Sequence, residues 1–170
     1  MIVFKSFKLP MKAILLQKIN MTEQVLTFRQ ANENDIDYLL WLRQKTMTEH
    51  LVNSGLEASV EKHLDRIKYE FNEAKIILLD NKAIGLLKSK EDDKKIEIIQ
   101  IQIDPKHQGL GLGQKILNTI IKKAEANNLK TILSVLKLNP AKNLYVKMGF
   151  EIIEEDKYSY KMIRLKQLTR

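Results

Sequence analysis

The spacing of apolar and polar positions divides the chain into strand and helix segments. Alternation with a period of two, bounded by polar turns, predicts strands, whereas apolar residues three or four apart predict helices. The predicted strands lie in residues 25–31, 74–80, 83–89, 96–104, 131–138, 150–156 and 158–165. The predicted helices lie in about residues 33–51, 60–71, 112–126 and 140–148. This order predicts an α/β (α+β) protein, a three-layer α/β/α sandwich.

Capping signals support these boundaries. Asn32 can cap the first helix, with Asp35 at its third position, and Ser59 can cap the second. Pro140 at a first helical position and Gly149 as a stop bracket the last helix. The predicted apolar faces comprise Ile36, Leu39, Leu40 and Met47 in the first helix, and Val60, Leu64, Ile67 and Phe71 in the second.

The length of 170 residues predicts one domain with a short appendage. Residues 1–20 are interpreted as an N-terminal extension with a strand at residues 2–7, and Met21 as an alternative start, so that the main domain spans residues 21–170. The apolar run "AILL" is too short to span a membrane, and no signal-peptide cleavage site follows it. The absence of cysteine excludes disulfides, thiolate metal sites and a cysteine nucleophile, and it is compatible with a cytoplasmic location.

The net charge of +8 predicts that the protein attracts anions. Nucleic acid, an anionic membrane or a phosphorylated cofactor would all satisfy it, as would a lysine-rich solvated surface. The lysines are dispersed and aromatic residues make up 6% of the chain, which argues against a nucleic-acid partner. The three histidines have no metal-ligand spacing, so no metal site is predicted, and His63 is expected at an exposed helical position.

The stretch "DPKHQGLGLGQKIL" places three of the six glycines in five positions, between a strand and a helix. A glycine-rich turn at a helix N-terminus is suited to bind an anion, because the first amides of a helix have no intrahelical partner. Neither the P-loop pattern nor the dinucleotide fingerprint fits the spacing. The pattern Q-x-x-G-x-G does fit, with Gln108, Gly111 and Gly113.

A second segment, "VLKLNPAKNLYVKMGF", follows about thirty residues later. Together the two segments resemble the acyl-CoA loop and the late N-P-A-x-x-L-Y-x-x-x-G-F segment of the GNAT N-acetyltransferase superfamily. The positions that match the late segment are Asn139, Ala141, Leu144, Tyr145, Gly149 and Phe150. The resemblance extends over about residues 25–165, and it implies the acyl-CoA N-acyltransferase fold with a mixed, mostly antiparallel sheet of about seven strands.

The resemblance implies acetyl-CoA as cosubstrate and gives the residues that would bind it. Strand residues Ile101, Gln102 and Ile103 match those that pair with the pantetheine arm. The loop residues that would hold the pyrophosphate are Gln108, Gly109, Leu110, Gly111, Leu112, Gly113 and Gln114. Asn139 matches a position that contacts the cofactor arm, although it could equally cap the following helix.

The implied reaction is transfer of an acetyl group to a primary amine by direct attack in a ternary complex. Tyr145 matches the general acid that protonates the leaving thiolate, or else it is an aromatic residue packed in the core. Glu97 lies eleven residues before Gln108, where some family members place the base, and strand alternation puts it on one face with Ile99, Ile101 and Ile103. The alternative is an exposed charge at a strand end.

The acceptor is expected to be a small-molecule or peptide amine that binds near residues 46–55 and 154–160. Glu154, Glu155 and Asp156 would suit a cationic amine, or they form a solvated turn. A homodimer is compatible with the resemblance. The rival to an enzyme is a non-catalytic acyl-CoA-binding module on the same fold, against which Tyr145 counts.

Overall fold

The structure is a computed structural model, and it describes residues 25–166. The seven strands among these residues are β1 (Leu26–Gln30), β2 (Ala74–Leu79), β3 (Lys82–Glu91), β4 (Lys95–Ile103), β5 (Lys130–Leu136), β6 (Glu151–Glu155) and β7 (Ser159–Arg164). The α-helices are α1 (Ile36–Asn53), α2 (Val60–Lys68), α3 (Leu112–Ala126) and α4 (Ala141–Lys147). The strand predicted at residues 2–7 lies outside the described residues.

The strands form one sheet in the order β1-β2-β3-β4-β5-β7-β6. Neighbours are antiparallel except β4 and β5, which are parallel and joined by the crossover through α3. The predicted seven-stranded, mixed and mostly antiparallel sheet is therefore confirmed. None of the helices within residues 25–166 combines the length and the apolar character needed to cross a membrane.

Helices cover both faces of the sheet, which confirms the three-layer prediction. On one face, Leu39 and Leu42 of α1 and Ile67 of α2 pack against Ile76 and Leu86. On the other face, α3 and α4 pack against the larger cluster, which includes Ile77, Ile98, Leu133, Ile116, Leu117, Ile120, Tyr145 and Phe150. The two clusters draw on alternate positions of the central strands, because successive side chains point to opposite faces.

The parallel pair separates partway along its length, and this gap positions the site. β4 and β5 pair through residues 95–98 and 130–133. Beyond these positions β4 continues to Ile103, paired with β3 alone, and β5 continues to Leu136, paired with β7 alone. One edge of β4 from Ile99 onward therefore faces an opening rather than a strand.

Short-range signals fix the ends of several elements. Asn32 and Asp35 form the predicted capping box before α1: Asn32 Oδ1 accepts from Asn34 N at 3.0 Å, and Asp35 Oδ2 accepts from Asn32 N at 2.9 Å. Ser59 Oγ accepts from Lys62 N at 3.3 Å and caps α2. Gly149 ends α4 with φ +82°, a conformation that favours glycine.

The prediction that Glu97 shares a face with Ile101 and Ile103 is wrong, because β4 contains a bulge. Lys88 pairs with Gln100 while Ser89 pairs with Ile98, which leaves Ile99 as an extra residue. A bulge shifts the alternation by one position. Ile96 and Ile98 before the bulge therefore share the α3–α4 face with Ile101 and Ile103 after it, and Glu97 points to the face that α1 and α2 cover.

Three predictions for the second helix are also wrong. The helix ends at Lys68, and Phe71 belongs to a separate 3₁₀ turn, Phe71–Glu73. Val60 is 51% exposed, whereas His63, predicted to be exposed, is 1% exposed. The His63 imidazole lies between α2 and α1, and its Nε2 is 3.1 Å from Thr48 Oγ1. A tertiary contact with α1, which the α2 pattern does not contain, decides this orientation.

Candidate functional site

The gap between β4 and β5 opens into a cleft of about 270 Å³. Its walls are the two diverging strands, with α1 and α2 on one side and α4 on the other. The lining residues are Arg43, Met47, Leu51, Arg66, Ile98, Ile99, Gln100, Ile101, Gln102, Leu133, Ser134, Val135, Leu136, Asn139, Tyr145 and Ser159.

The glycine loop follows β4 directly and leads into α3. Gly109 and Gly111 both have φ +75°, and a Cβ atom built on either would meet no other atom within 4 Å. The amides of residues 109–114 donate to no acceptor within the described part of the chain. Six consecutive donors that the described residues leave unpaired, at the positive end of a helix dipole, fit a phosphate or pyrophosphate group.

Contacts on both sides hold this loop beside the cleft. A Cβ on Gly113 would lie 3.4 Å from the Leu144 side chain and 3.6 Å from that of Ile103, so α3 starts close to α4 and to the end of β4. Gln108 Nε2 donates to the carbonyl of Ile103 at 2.8 Å. The Gln108 side chain thus fastens the loop to the strand.

Of the predicted strand residues, Ile101 and Gln102 line the cleft, and Ile103 packs beneath the glycine loop. None of the strands within residues 25–166 pairs with their backbone edge toward β5. The Gln102 side chain turns to the α1 side, where its Nε2 donates to Thr46 Oγ1 at 2.6 Å. The free edge can therefore accept an extended chain through backbone hydrogen bonds, while the side chains pack elsewhere.

Tyr145 extends from α4 into the cleft wall and is 7% exposed. Its ring meets that of Phe150 edge to face, with centroids 6.0 Å apart. Burial disfavours the phenolate and raises the pKa of Tyr145 to about 12. The hydroxyl therefore carries its proton at neutral pH. Tyr145 therefore packs in the core and also forms part of the cleft wall.

Asn139 lines the cleft and also caps α4, since its Oδ1 accepts from Ala141 N at 2.9 Å. Glu97, in contrast, is not part of the cleft lining. Its carboxylate pairs with Lys95 at 2.9 Å and is 43% exposed. The structure thus brings Tyr145, Asn139 and the β4 residues together, and it places Glu97 outside the cleft.

The predicted acidic turn is also outside the cleft lining. Glu154 pairs with Lys161 at 3.1 Å, and Glu155 pairs with Lys137 at 3.0 Å. Asp156 accepts from the amides of Tyr158 and Ser159, which lowers the pKa of its carboxyl. From residues 46–55 and 154–160, only Met47, Leu51 and Ser159 reach the cleft.

Three cations on the α1–α2 side were not predicted from the sequence; Arg43 and Lys88 are buried, and Arg66 is half-buried. Arg43 and Arg66 line the cleft, and Lys88 lies behind them in β3. Burial and repulsion by Arg66 lower the pKa of Arg43 to about 10, while burial and both arginines lower the pKa of Lys88 to about 8. The only sequence signal was that Arg43, Met47 and Leu51 recur at every fourth position, along one helix face.

Comparisons with known proteins agree with this geometry. Among models of protein families, that of the acetyltransferase (GNAT) family matches residues 36–150. No curated protein sequence matches the chain.

Solved structures with a similar fold include three with informative ligands or activities. The PaiA N-acetyltransferase of Thermoplasma acidophilum, in complex with coenzyme A, gives a TM-score of 0.63 at 18% identity, over 83% of this chain and 99% of that one. The ribosomal-protein-S18-alanine N-acetyltransferase of Escherichia coli gives 0.61 at 15% identity, over 86% and 97%. N-acetylglutamate synthase of Neisseria gonorrhoeae, complexed with coenzyme A and N-acetyl-glutamate, gives 0.62 at 20% identity, over 86% and 36%.

At these identities the likeness to solved structures shows a shared fold. The family match covers more than half of the chain and includes both the glycine loop and the segment around Tyr145. The chain therefore belongs to the acetyltransferase (GNAT) family of enzymes.

Proposed function

We propose that this protein transfers the acetyl group of acetyl-CoA to a primary amine, by direct attack of the amine in a ternary complex. One observation carries the proposal. Six backbone amides, at residues 109–114, have no acceptor within residues 25–166, and they follow a strand whose edge toward β5 has no strand partner among these residues. An anion site directly after an open strand edge matches the two halves of CoA. The anion site matches the pyrophosphate, and the strand edge matches the extended, amide-bearing arm.

Different residues would hold the two halves of acetyl-CoA. The loop amides from Gly109 to Gln114 would bind the pyrophosphate, and the Gln108 side chain keeps the loop in place. The free edge at Ile101, Gln102 and Ile103 would pair with the pantetheine arm as an added strand does. Asn139, on the facing side of the cleft, would contact the same arm while it caps α4.

Bound acetyl-CoA would supply the acetyl group as a thioester. An amine with an ordinary pKa near 10.4 is mostly protonated at neutral pH, so it must lose a proton before it attacks. Tyr145, which keeps its own proton, would donate it to the departing thiolate. Glu97 stays the predicted base, and because it lies outside the cleft lining it would act through water rather than by contact.

The acceptor is a small-molecule or peptide amine. Two proteins of similar fold illustrate this range, one named for a ribosomal-protein alanine and one complexed with N-acetyl-glutamate. In this chain the cleft beside Met47, Leu51 and Ser159 would receive the acceptor.

Thermal unfolding with and without acetyl-CoA tests the cofactor site, with Gly111→Trp as the variant. Gly55→Trp is a matched control, because Gly55 also has positive φ and open space but lies between α1 and α2. A ligand at 100 times its dissociation constant adds about 2.7 kcal/mol of stability, a shift of several degrees.

We expect the wild type and Gly55→Trp to shift and a folded Gly111→Trp not to shift. An unshifted wild type at saturating acetyl-CoA would remove the proposal. A shift without CoA release for any amine tested would instead favour a non-catalytic acyl-CoA-binding module.

A further inference from the structure

Arg43 is a buried cation that has no hydrogen-bond or ion-pair partner in the part of the chain that the structure describes. It lies in α1, is 8% exposed, and its side chain lines the cleft. Within residues 25–166 its guanidinium makes no hydrogen bond or ion pair, and its Nε is completely buried. Buried arginines are ordinarily paired, because a desolvated charge without a partner destabilises the fold.

Arg66 adds a second positive charge to the same wall. Its guanidinium donates to the carbonyl of Ile99 at 3.0 Å and lies 5.2 Å from the Tyr69 ring centre. The Glu97 carboxylate attracts the Arg66 guanidinium, but it already pairs with Lys95 at 2.9 Å. The two arginines repel each other, and no carboxylate among the lining residues compensates them.

Lys88 shows that burial of a cation here does not by itself indicate a ligand. Its Nζ donates to the carbonyls of Arg66, Ile67 and Tyr69 at 3.3, 2.9 and 2.5 Å, so all three protons are used at the end of α2. Lys88 therefore has a structural role at the end of α2. Arg43 has five N–H donors and no such acceptors among the described residues, and it is open to the cleft.

The cleft floor supplies the opposite kind of unused group. Gln100 is buried, its Nε2 donates to Gln102 Oε1 at 3.2 Å, and its Oε1 has no partner among residues 25–166. The same small volume thus holds unused donors on a cation and an unused acceptor.

We propose that the acceptor is an amine that carries an anionic oxygen group, a carboxylate or a phosphate, and that Arg43 binds this group with Arg66 beside it. This inference rests on the proposed acetyl transfer and names the class of its acceptor. Guanidinium groups bind both anions through paired N–H donors. The phosphates of CoA are assigned to the loop amides beyond Ile103, so they leave Arg43 free for the acceptor.

The test measures CoA release with acceptors in matched pairs: α-amino acids against their amides, O-phosphoethanolamine against ethanolamine, and short peptides that differ by Glu against Gln. The variants are Arg43→Met, Arg43→Lys and the control Lys45→Met, an exposed charge on the same helix. We expect kcat/KM to favour the anionic member of at least one pair by about tenfold to hundredfold. Which pair shows the preference identifies the source of the oxyanion.

Arg43→Met should reduce that preference to near unity, and Arg43→Lys should restore part of it. Lys45→Met should keep it. A structural arginine would instead lower Tm when replaced, whereas loss of an unpaired buried charge should not. Equal use of both members of every pair, an unchanged preference in Arg43→Met, or no anionic amine accepted would each overturn the inference. The acetyl-CoA shift in Tm is read in the same samples, so failure of the cofactor site is distinguished from failure of the acceptor class.

Discussion

The two sides of the cleft present different polar groups, backbone amides on one side and side chains on the other. The β4–loop–α3 side comes from one continuous stretch, residues 99–114, and its free groups are backbone amides. The α1–α2 side combines the side chains of Arg43 and Arg66, from two helices, with that of Gln100, which extends from β4 to this face and is linked through Gln102 to Thr46. Its unused polar groups within residues 25–166 belong to side chains. A continuous backbone site leaves a glycine pattern in the sequence. A site assembled from separate elements leaves none, because each contributor resembles an ordinary surface residue until the helices pack.

The two sides also differ in what their burial means. On the cofactor side, Tyr145 is buried in the core that holds the loop, Ile103 is partly buried against this core, and both stabilise it. On the acceptor side, burial of Arg43 opposes stability, whereas that of Lys88 is compensated by three carbonyls. Residues retained against stability are expected at functional sites.

Tyr145→Phe should have the largest effect. The substitution retains the ring that packs on Phe150 and removes only the proton donor. We expect the turnover number to fall by about 10²-fold or more, with the acetyl-CoA shift in Tm unchanged. Tyr160→Phe, on β7 and outside the cleft lining, is the control. A fall below tenfold would leave Tyr145 as a packing residue and assign the proton transfer elsewhere.

Lys88→Met should be next in size, and it should act on stability instead of cofactor binding. The carbonyls at the end of α2 would lose their donor, and each buried acceptor left without a partner costs about 1–3 kcal/mol of unfolding free energy. Chemical denaturation would measure this loss. Lys90→Met, two residues on in β3, replaces an exposed lysine and should change stability little.

The difference in unfolding free energy between the wild type and Lys88→Met should depend on pH. Because the pKa of Lys88 is lowered to about 8 in the folded protein, the unfolded chain binds more protons between pH 8 and the ordinary lysine value of 10.5. The unfolding free energy of the wild type should therefore rise with pH across this window relative to Lys88→Met. A constant difference between the two proteins would show that the lysine titrates normally.

Asn139→Ala should have the smallest effect, and it should change both the stability of the protein and its affinity for acetyl-CoA. Loss of the α4 cap should lower stability by about 1 kcal/mol. Loss of a contact to the cofactor arm should raise the acetyl-CoA dissociation constant by about two- to tenfold. Asn143→Ala, at an exposed position of the same helix, is the control. Reduced stability with unchanged affinity would mean that Asn139 is only a cap.

The sequence by itself determined the order of elements, the caps at Asn32 and Ser59, and the glycine loop from Gly109 to Gly113, because each depends on residues a few positions apart. The same local rules were wrong where distant elements decided the outcome. The bulge at Ile99 moved Glu97 to the other face, and packing of α1 on α2 buried His63 while Val60 stayed exposed.

Only the tertiary structure decided what faces the acceptor. A helical arginine normally reaches solvent, so the pattern of α1 contained no reason to bury Arg43 without a partner. Its burial follows from the sheet, which separates β4 from β5 and brings α1 and α2 over the opening. Local conformational preferences thus specify the cofactor loop, whereas the electrostatic character of the cleft arises only when separate segments share one desolvated volume.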